Sequence, residues 1–478
     1  MKKFSFTMPQ TLYDQLMAHL FPGDGDEHGA VIAAGISQSA GYIRFLARTV
    51  IEALDGADYV RGKYGYRALT ADFVARASDY CARERLCYFA VHCHGGSDSV
   101  GFSVIDADSH ERGYPALLDI TNGGPVGALV FAKNAVAGSI WLRDGVYPLQ
   151  GLTVVGPNVR RLYSSRAHAP RGANPIYHRQ SLIFGAAGQD LLNKTRVGII
   201  GMGGAGSLVN EWLSRLGIGE IIAIDFDKVE PSNCPRTVGA THWDAQVWLS
   251  AKEWAPLRRL AGLFSSHKVS VGARVAKMAN PRIKYHAIVG NITTMETALL
   301  LKDVDFLFLC ADRAQSRLVF NALVHQYLIP GVQVGAKVQV NRDSGRVNEV
   351  FAVSRPVLPF EKGGCLLCNE LIPAKQLQEE ALSDEERRAQ AYVDDPLIVA
   401  PSVITMNAVA GAQAVNDFLL GYFGLFSDSV NKGYLMQFCC DRQWSSVECR
   451  AVDGCLHCGK TSASAFARGD RAGLPCRG

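Results

Sequence analysis

VGIIGMGGAGSLVNEWLSRLGIGEIIAIDFD, residues 197–227, decides the architecture of this 478-residue chain. Its first five residues form an unbroken apolar run, the pattern of a strand buried on both faces. SLVNEWLSRLG (residues 207–217) has helical periodicity and stops at Gly217, and EIIAIDFD (residues 220–227) is a second strand. A strand, a glycine turn, a helix and a strand make one βαβ unit, which implies a parallel sheet covered by helices. Gly201, Gly203, Gly204 and Gly206 form the turn. They let the backbone bend tightly and approach phosphate oxygens, while the helix start offers free N–H groups and a positive dipole. Asp225, ending the second strand, is placed to bind ribose hydroxyls. A loop of this kind serves a nicotinamide dinucleotide as well as ATP.

The residues downstream separate those two ligands. Asn233 and Arg236 follow in DFDKVEPSNCPR, Lys268 opens a helix in SSHKVSVGARVA, and Asp312 ends the strand DFLFLCAD. A reaction that expels pyrophosphate needs fixed cations on the leaving oxygens and a carboxylate for Mg²⁺, and a dehydrogenase does not. We therefore read Gly201, Gly203, Gly204, Gly206, Asp225, Asn233, Arg236, Lys268 and Asp312 as an ATP site. Arg236 and Lys268 act on the phosphates, and Asp312 holds Mg²⁺.

These motifs resemble the ubiquitin-activating superfamily, the ThiF/MoeB-like enzymes that activate molybdopterin and thiamin sulfur carriers. The resemblance runs from about residue 177 to residue 460. The family's R-Y-x-R-Q opening is similar to Ile176-Tyr177-His178-Arg179-Gln180, without the first Arg. Its D-x-D-x-V-x-x-S-N-x-x-R is matched by Asp225, Asp227, Val229, Ser232, Asn233 and Arg236. Its D-N-x-x-x-R is matched by Asp312 and Arg317, with Arg313 in place of Asn. The resemblance implies adenylation of a C-terminal glycine in a homodimer, with Arg179 reaching into the partner subunit's ATP site. It also implies a ubiquitin-like partner ending in glycine and, in a full conjugation system, a separate conjugating protein. One departure is an insertion between Arg236 and Lys268 that carries Trp243, Trp248 and Trp254. It reads either as a surface elaboration packed on itself or as a partner-docking element.

Many relatives pass the activated carboxyl to a cysteine just before an apolar helix, here APSVITMNAVAGAQA (residues 400–414). The preceding AQAYVDDPLIV has no cysteine, and none occurs between Cys368 and Cys439. Cys234, Cys310 and the pair Cys439–Cys440 remain as candidates, so adenylation without thioester transfer stays open as the alternative. Cys365-x-x-Cys368 and Cys455-x-x-Cys458 form a four-thiolate set for a structural Zn²⁺, with His457 as a bystander.

The first 160 residues carry a second pattern. His92-Cys93-His94 ends an apolar strand, Ser103-x-x-Asp106 follows, and Glu27 lies upstream. Two His and one Asp with an open fourth position can hold a catalytic Zn²⁺, a Glu outside the ligand set can take a proton from bound water, and a Ser hydroxyl can stabilise an oxyanion. The pattern resembles the JAB/MPN metalloproteases, which cut after the terminal glycine of ubiquitin-like proteins. Cys93 stands for Ser or Thr, and Gly95 for Pro. The resemblance assigns His92, His94 and Asp106 as ligands, Glu27 as general base and Ser103 as oxyanion donor, with His110 a stray. A non-catalytic, modifier-binding domain is the alternative.

Composition bounds the rest. Lys and Arg total 49 against 45 Asp and Glu, a net charge of +4, too little for a nucleic-acid binder. No apolar run is long enough to span a bilayer, and the N-terminus lacks the apolar core of a signal peptide. Thirteen cysteines in this length make no dense disulfide framework, and we place the chain in the cytoplasm. The expected fold is α/β: a JAB-like mixed α/β domain over residues 1–160, a linker over 161–175, a Rossmann-like adenylation domain with a zinc knuckle over 176–460, and a flexible tail over 461–478. The expected function is a fusion, as in bacterial ubiquitin-like conjugation systems, that matures or removes a modifier and also adenylates it.

Overall fold

The computed structural model describes residues 2–477 apart from 61–67, 122, 166–173, 251–254, 342–345, 361, 382–400, 428–429 and 431–432. Eight strands build the N-terminal half: β1 (Lys3–Pro9), β2 (Gly29–Ser39), β3 (Tyr42–Glu52), β4 (Cys87–Cys93), β5 (Val126–Phe131), β6 (Val136–Leu142), β7 (Gly145–Val155) and β8 (Arg160–Leu162). They hydrogen-bond in the order β1-β3-β2-β4-β5-β6-β7-β8, and β1 also pairs with β7, so the sheet curls round and closes. Closure leaves β1 without an open edge, which is how a mixed sheet avoids unpaired N–H and C=O groups. Alternate residues of KFSFTMP point inward, and Phe6 and Phe45 meet the ring of Phe89 at 5.0 and 4.7 Å in edge-to-face contacts. The helices Gln10–Leu20, Ala71–Glu84 and Val104–Ile120 pack against this sheet.

The second half has eight more strands: β9 (Arg196–Ile200), β10 (Glu220–Ile224), β11 (Lys284–Ile288), β12 (Phe306–Leu309), β13 (Gly331–Val340), β14 (Val347–Val357), β15 (Tyr434–Phe438) and β16 (Gln443–Val447). Their order is β11-β10-β9-β12-β13-β14-β15-β16. The first five are parallel, in register Ile221↔Val197 and Phe306↔Val197, and the last three add antiparallel. The order runs outward from β9 in both directions. The switch point between β9 and β12 therefore opens a crevice at their carboxyl ends, where an open α/β sheet takes its ligand.

The tail is a correction. Residues 461–477 are not a flexible extension; they strap the two halves together. Phe466, Ala467 and Leu474 are buried. The Arg48 guanidinium of β3 donates to the carbonyls of Thr461 (2.6 Å) and Phe466. Arg468 pairs with Glu84 at 2.6 Å, and Asp470 accepts from Lys302 and from the Tyr327 hydroxyl at 3.0 Å. The tail bridges β2 at Ile36↔Gly469, beyond the last residue of β2 that pairs with β4. A Cβ on Gly35 would sit 2.0 Å from the Ala467 carbonyl oxygen, so only glycine allows this approach. Small and polar composition misled here because the tail is held by arginines, backbone carbonyls and three scattered core residues, Phe466, Ala467 and Leu474, with no periodic apolar stripe to announce it.

The linker also begins later than expected. Arg160–Leu162 pairs with β7 as β8, and Arg161 stacks on Tyr422 of the second half at 4.1 Å. Residues 166–173 lie outside the described residues, as does AQAYVDDPLIV.

Candidate functional site

At the crevice, Gly201 has φ +92°, and a Cβ there would meet the backbone of Cys310 and Ala311 at 2.9–3.1 Å. The loop is thereby pressed against the end of β12, beside Asp312. The helix Gly204–Leu216 starts immediately after it, capped by Gly203. Asp225 accepts from the backbone N–H of Met202 (2.6 Å) and of Asp227 (2.8 Å), locking the loop to the end of β10. Burial pushes the Asp225 carboxyl up, and those two N–H donors oppose it. Lys268, first residue of its helix, pairs with Asp227 at 2.7 Å and is 12% exposed. The 233–238 turn lies on the start of the helix Gly204–Leu216: Val238 N–H donates to Ser207 Oγ at 3.0 Å. Asn233 is buried, and its Oδ1 accepts from Glu230 N–H at 3.1 Å.

The structure thus gathers Gly201–Gly206, Asp225, Lys268, the Asn233–Arg236 turn and Asp312 around one crevice. Arg179 is not among them. It is exposed on the helix His178–Leu192. Two contacts went unseen in the sequence. Asn407, in the apolar helix Ile404–Tyr422, sets its Nδ2 2.3 Å from where a Gly204 Cβ would lie. Glu380 accepts the N–H groups of Ala314 (2.8 Å) and Gln315 (2.9 Å), closing the N-terminus of the helix that follows Asp312. Neither residue stands out from its neighbours in sequence.

None of three candidate thiols sits in a setting that favours thiolate. Burial pushes Cys310 up to about 12 and also raises Cys234 and Cys439. Cys440 is exposed in the β15–β16 turn. In the insertion, Ala245 packs with Val229 and Val271 in a small buried cluster, Trp243 and Trp248 are 74% and 54% exposed, and Trp254 lies outside the described residues.

The four knuckle thiols converge, with Cys365 and Cys455 sulfurs 3.9 Å apart and those of Cys368 and Cys458 3.5 Å apart. A tetrahedron of Zn–S bonds of about 2.3 Å has sulfur–sulfur edges of about 3.8 Å, so the set fits Zn²⁺. Asn321, fully buried, donates toward Cys365 Sγ (3.4 Å), accepts from Leu366 N–H (2.8 Å) and lies 2.8 Å from His457 Nδ1. His457 is therefore no bystander; it orders the shell around the thiols.

In the N-terminal half, strand β4 delivers His92 and the next turn delivers His94. Their Nε2 atoms are 3.2 Å apart, and each lies near Asp106 Oδ2, at 3.5 and 3.4 Å. Bonds of about 2.0 Å from a tetrahedral Zn²⁺ would set ligand edges of about 3.3 Å, and all three edges lie close to that. Ser103 caps the helix Val104–Ile120; its N–H and its hydroxyl both donate to Asp106 Oδ2 at 2.7 Å. Burial alone would raise the Asp106 carboxyl, but hydrogen bonds from His92 and Ser103 outweigh it and hold the group well below the usual carboxylate range. Glu27 Oε1 is 3.8 Å from His94 Nε2, outside the trio, and burial raises its carboxyl.

Cys93 is fixed from both sides. Its thiol donates to Leu20 C=O (3.0 Å) and accepts from His28 N–H (3.3 Å), closing both ends of the loop that carries Glu27. His110 packs between Phe102 and Tyr114, where burial lowers it to about 4, and it is not in the trio.

A model of the ThiF family matches residues 177–451. Among curated proteins, the ubiquitin-like modifier-activating enzyme 5 of Culex quinquefasciatus is 26% identical over 261 residues, covering 52% of this chain and 56% of that protein. The Gallus gallus enzyme of the same name is 26% identical over 241 residues, covering 47% and 51%. The chain thus spans about half the length of the curated relatives it matches. Among solved structures, Escherichia coli MccB with ATP aligns at 22% identity and a TM-score of 0.43, covering 60% of this chain and 75% of that one.

Proposed function

This chain belongs to the ThiF family, and from that membership we propose that its second half adenylates the C-terminal carboxylate of a ubiquitin-like protein with ATP. The observation that carries the reading is the crevice between β9 and β12. There a glycine loop, a helix N-terminus and the partly buried Lys268 lie together. The loop N–H groups and helix dipole favour phosphate, and Asp225 faces the ribose. Lys268 and Arg236 balance charge growing on the departing pyrophosphate. Mg²⁺, when bound, supplies further charge neutralisation, and Asp312 is the carboxylate suited to hold it. Relatives named for activating ubiquitin-like modifiers support a protein carboxylate as substrate. The raised thiols Cys234, Cys310 and Cys439 support direct hand-over to an acceptor rather than thioester transfer. We further propose a homodimer in which Arg179 completes the partner subunit's site, a separate conjugating protein as an acceptor, and a cytoplasmic setting; no described helix is long and apolar enough to cross a membrane.

For the N-terminal half we propose a zinc peptidase that trims or removes the same modifier. The near-tetrahedral edges among His92, His94 and Asp106 favour this over a binding module. Zn²⁺ supplies a water made acidic enough to ionise near neutral pH. Glu27 takes that water's proton, and the Ser103 hydroxyl, which donates to Asp106 at 2.7 Å, turns from it to stabilise an oxyanion. Metal analysis tests both halves of the reading: two Zn²⁺ per chain are expected, one in the knuckle and one in the trio. A single equivalent that survives loss of His92 would count against the peptidase.

A further inference from the structure

Where the two halves meet, Arg44 of β3 is buried without a close ion pair, and the nearest carboxylate, Asp305, is shared with Arg161 and Arg196. Its side chain is 7% exposed, its Nε has no hydrogen-bond partner, and its guanidinium donates to one acceptor, the carbonyl of Lys302 at 2.6 Å. Among the described residues it forms no ion pair. A guanidinium taken out of water in this state costs several kcal/mol unless a negative group joins it.

The side chain lines a cavity of about 60 Å³ between the halves. Around that space the groups are polar. Ser5 and Tyr42 share a hydrogen bond at 2.6 Å, Arg161 brings a second guanidinium, and Asp305 faces in from the head of β12. Asp305 already accepts from the Arg196 backbone N–H at 2.8 Å; burial works against its ionisation, and that N–H with the guanidiniums of Arg161, Arg44 and Arg196 favours it, so one carboxylate is shared among three cations. Arg161 is also only partly satisfied, donating to Tyr422 C=O at 3.3 Å while lying over that ring.

We propose that this cavity binds a small monovalent anion of halide size, held by Arg44 and Arg161, which locks the N-terminal half onto the adenylating half. A space of about 60 Å³ is enough for a halide ion with a few waters. The site lies at the amino end of β12, away from the crevice at its carboxyl end, and the inference does not rest on the activity proposed above.

The test uses the full chain. Crystals soaked in bromide should give an anomalous peak within about 3.5 Å of the Arg44 guanidinium. In solution at constant ionic strength, exchanging gluconate for chloride should raise the unfolding temperature by about 2 °C, and Arg44→Met should abolish the difference. A cavity holding only water while bromide labels other sites would overturn the proposal. So would an unfolding temperature indifferent to the anion, or a chloride effect that persists in the variant. The bromide measurement on the unaltered chain keeps the proposal testable if Arg44→Met does not fold.

Discussion

Gly206→Ala sets two physical effects of opposite sign against each other. Gly206 lies in the first turn of the helix Gly204–Leu216, where alanine is intrinsically the better residue by up to about 1 kcal/mol. The added Cβ, however, would fall 1.9 Å from the Gly201 carbonyl oxygen, about 1.5 Å inside a comfortable contact. Backbone cannot rotate away as a side chain can, so the loop must move, at an overpacking cost of about 2 kcal/mol. The net expectation is a loss of about 1 kcal/mol by denaturant unfolding, despite the gain in helix propensity. Displacing the phosphate-facing N–H groups by about an ångström should cost on the order of a hundredfold in ATP–pyrophosphate exchange. Gly262→Ala, also helical but with nothing within 4 Å of its Cβ, is the matched control and should be neutral or slightly stabilising. A Gly206→Ala chain as stable as the original, with exchange within about twofold, would refute the close-approach reasoning.

The other expectations follow from the same geometry. Lys268→Ala should lower exchange by about a hundredfold or more with little change in unfolding temperature, since its ion pair with Asp227 is half-exposed on the carboxylate side. Cys458→Ser should remove one zinc equivalent and destabilise the fold, whereas Asp106→Asn should remove the other and cost about 1 kcal/mol through the weakened helix cap. Glu27→Gln should leave zinc content unchanged and reduce cleavage of a modifier fusion by about a hundredfold or more; cleavage at the original rate would remove Glu27 as the base. Deleting residues 461–478 should lower the unfolding temperature and make the junction between the halves sensitive to protease, because Arg48 and Lys302 lose their partners; unchanged stability would restore the flexible-tail reading.

Much of the second half was legible in residues 197–227, because buried parallel strands read as solid apolar runs and the glycine turn marks a nucleotide loop, with Asn233, Arg236, Lys268 and Asp312 separating ATP from a dinucleotide. The convergence of Cys365, Cys368, Cys455 and Cys458 was legible because only cysteine spacing was needed. The His92–His94–Asp106 trio was legible from residue types in order, although only the fold reveals edges of 3.2–3.5 Å. What escaped was set by tertiary contact alone. Arg48 and Arg44 read as surface cations in an alternating strand, yet the tail and the second half bury both. Asn321, Asn407 and Glu380 are ordinary helix residues until the fold aims them at a thiol, a glycine and a helix end. Cys93 gave no sign in sequence of its two hydrogen bonds, one donated to Leu20 C=O and one accepted from His28 N–H.

The central claim, that the crevice activates a carboxylate with ATP, is tested most directly by ATP–pyrophosphate exchange with small proteins ending in glycine. The account predicts exchange that requires the protein's free terminal carboxylate and falls by about a hundredfold or more with Lys268→Ala. Absence of exchange with every ubiquitin-like candidate, or exchange indifferent to that carboxylate, would contradict it.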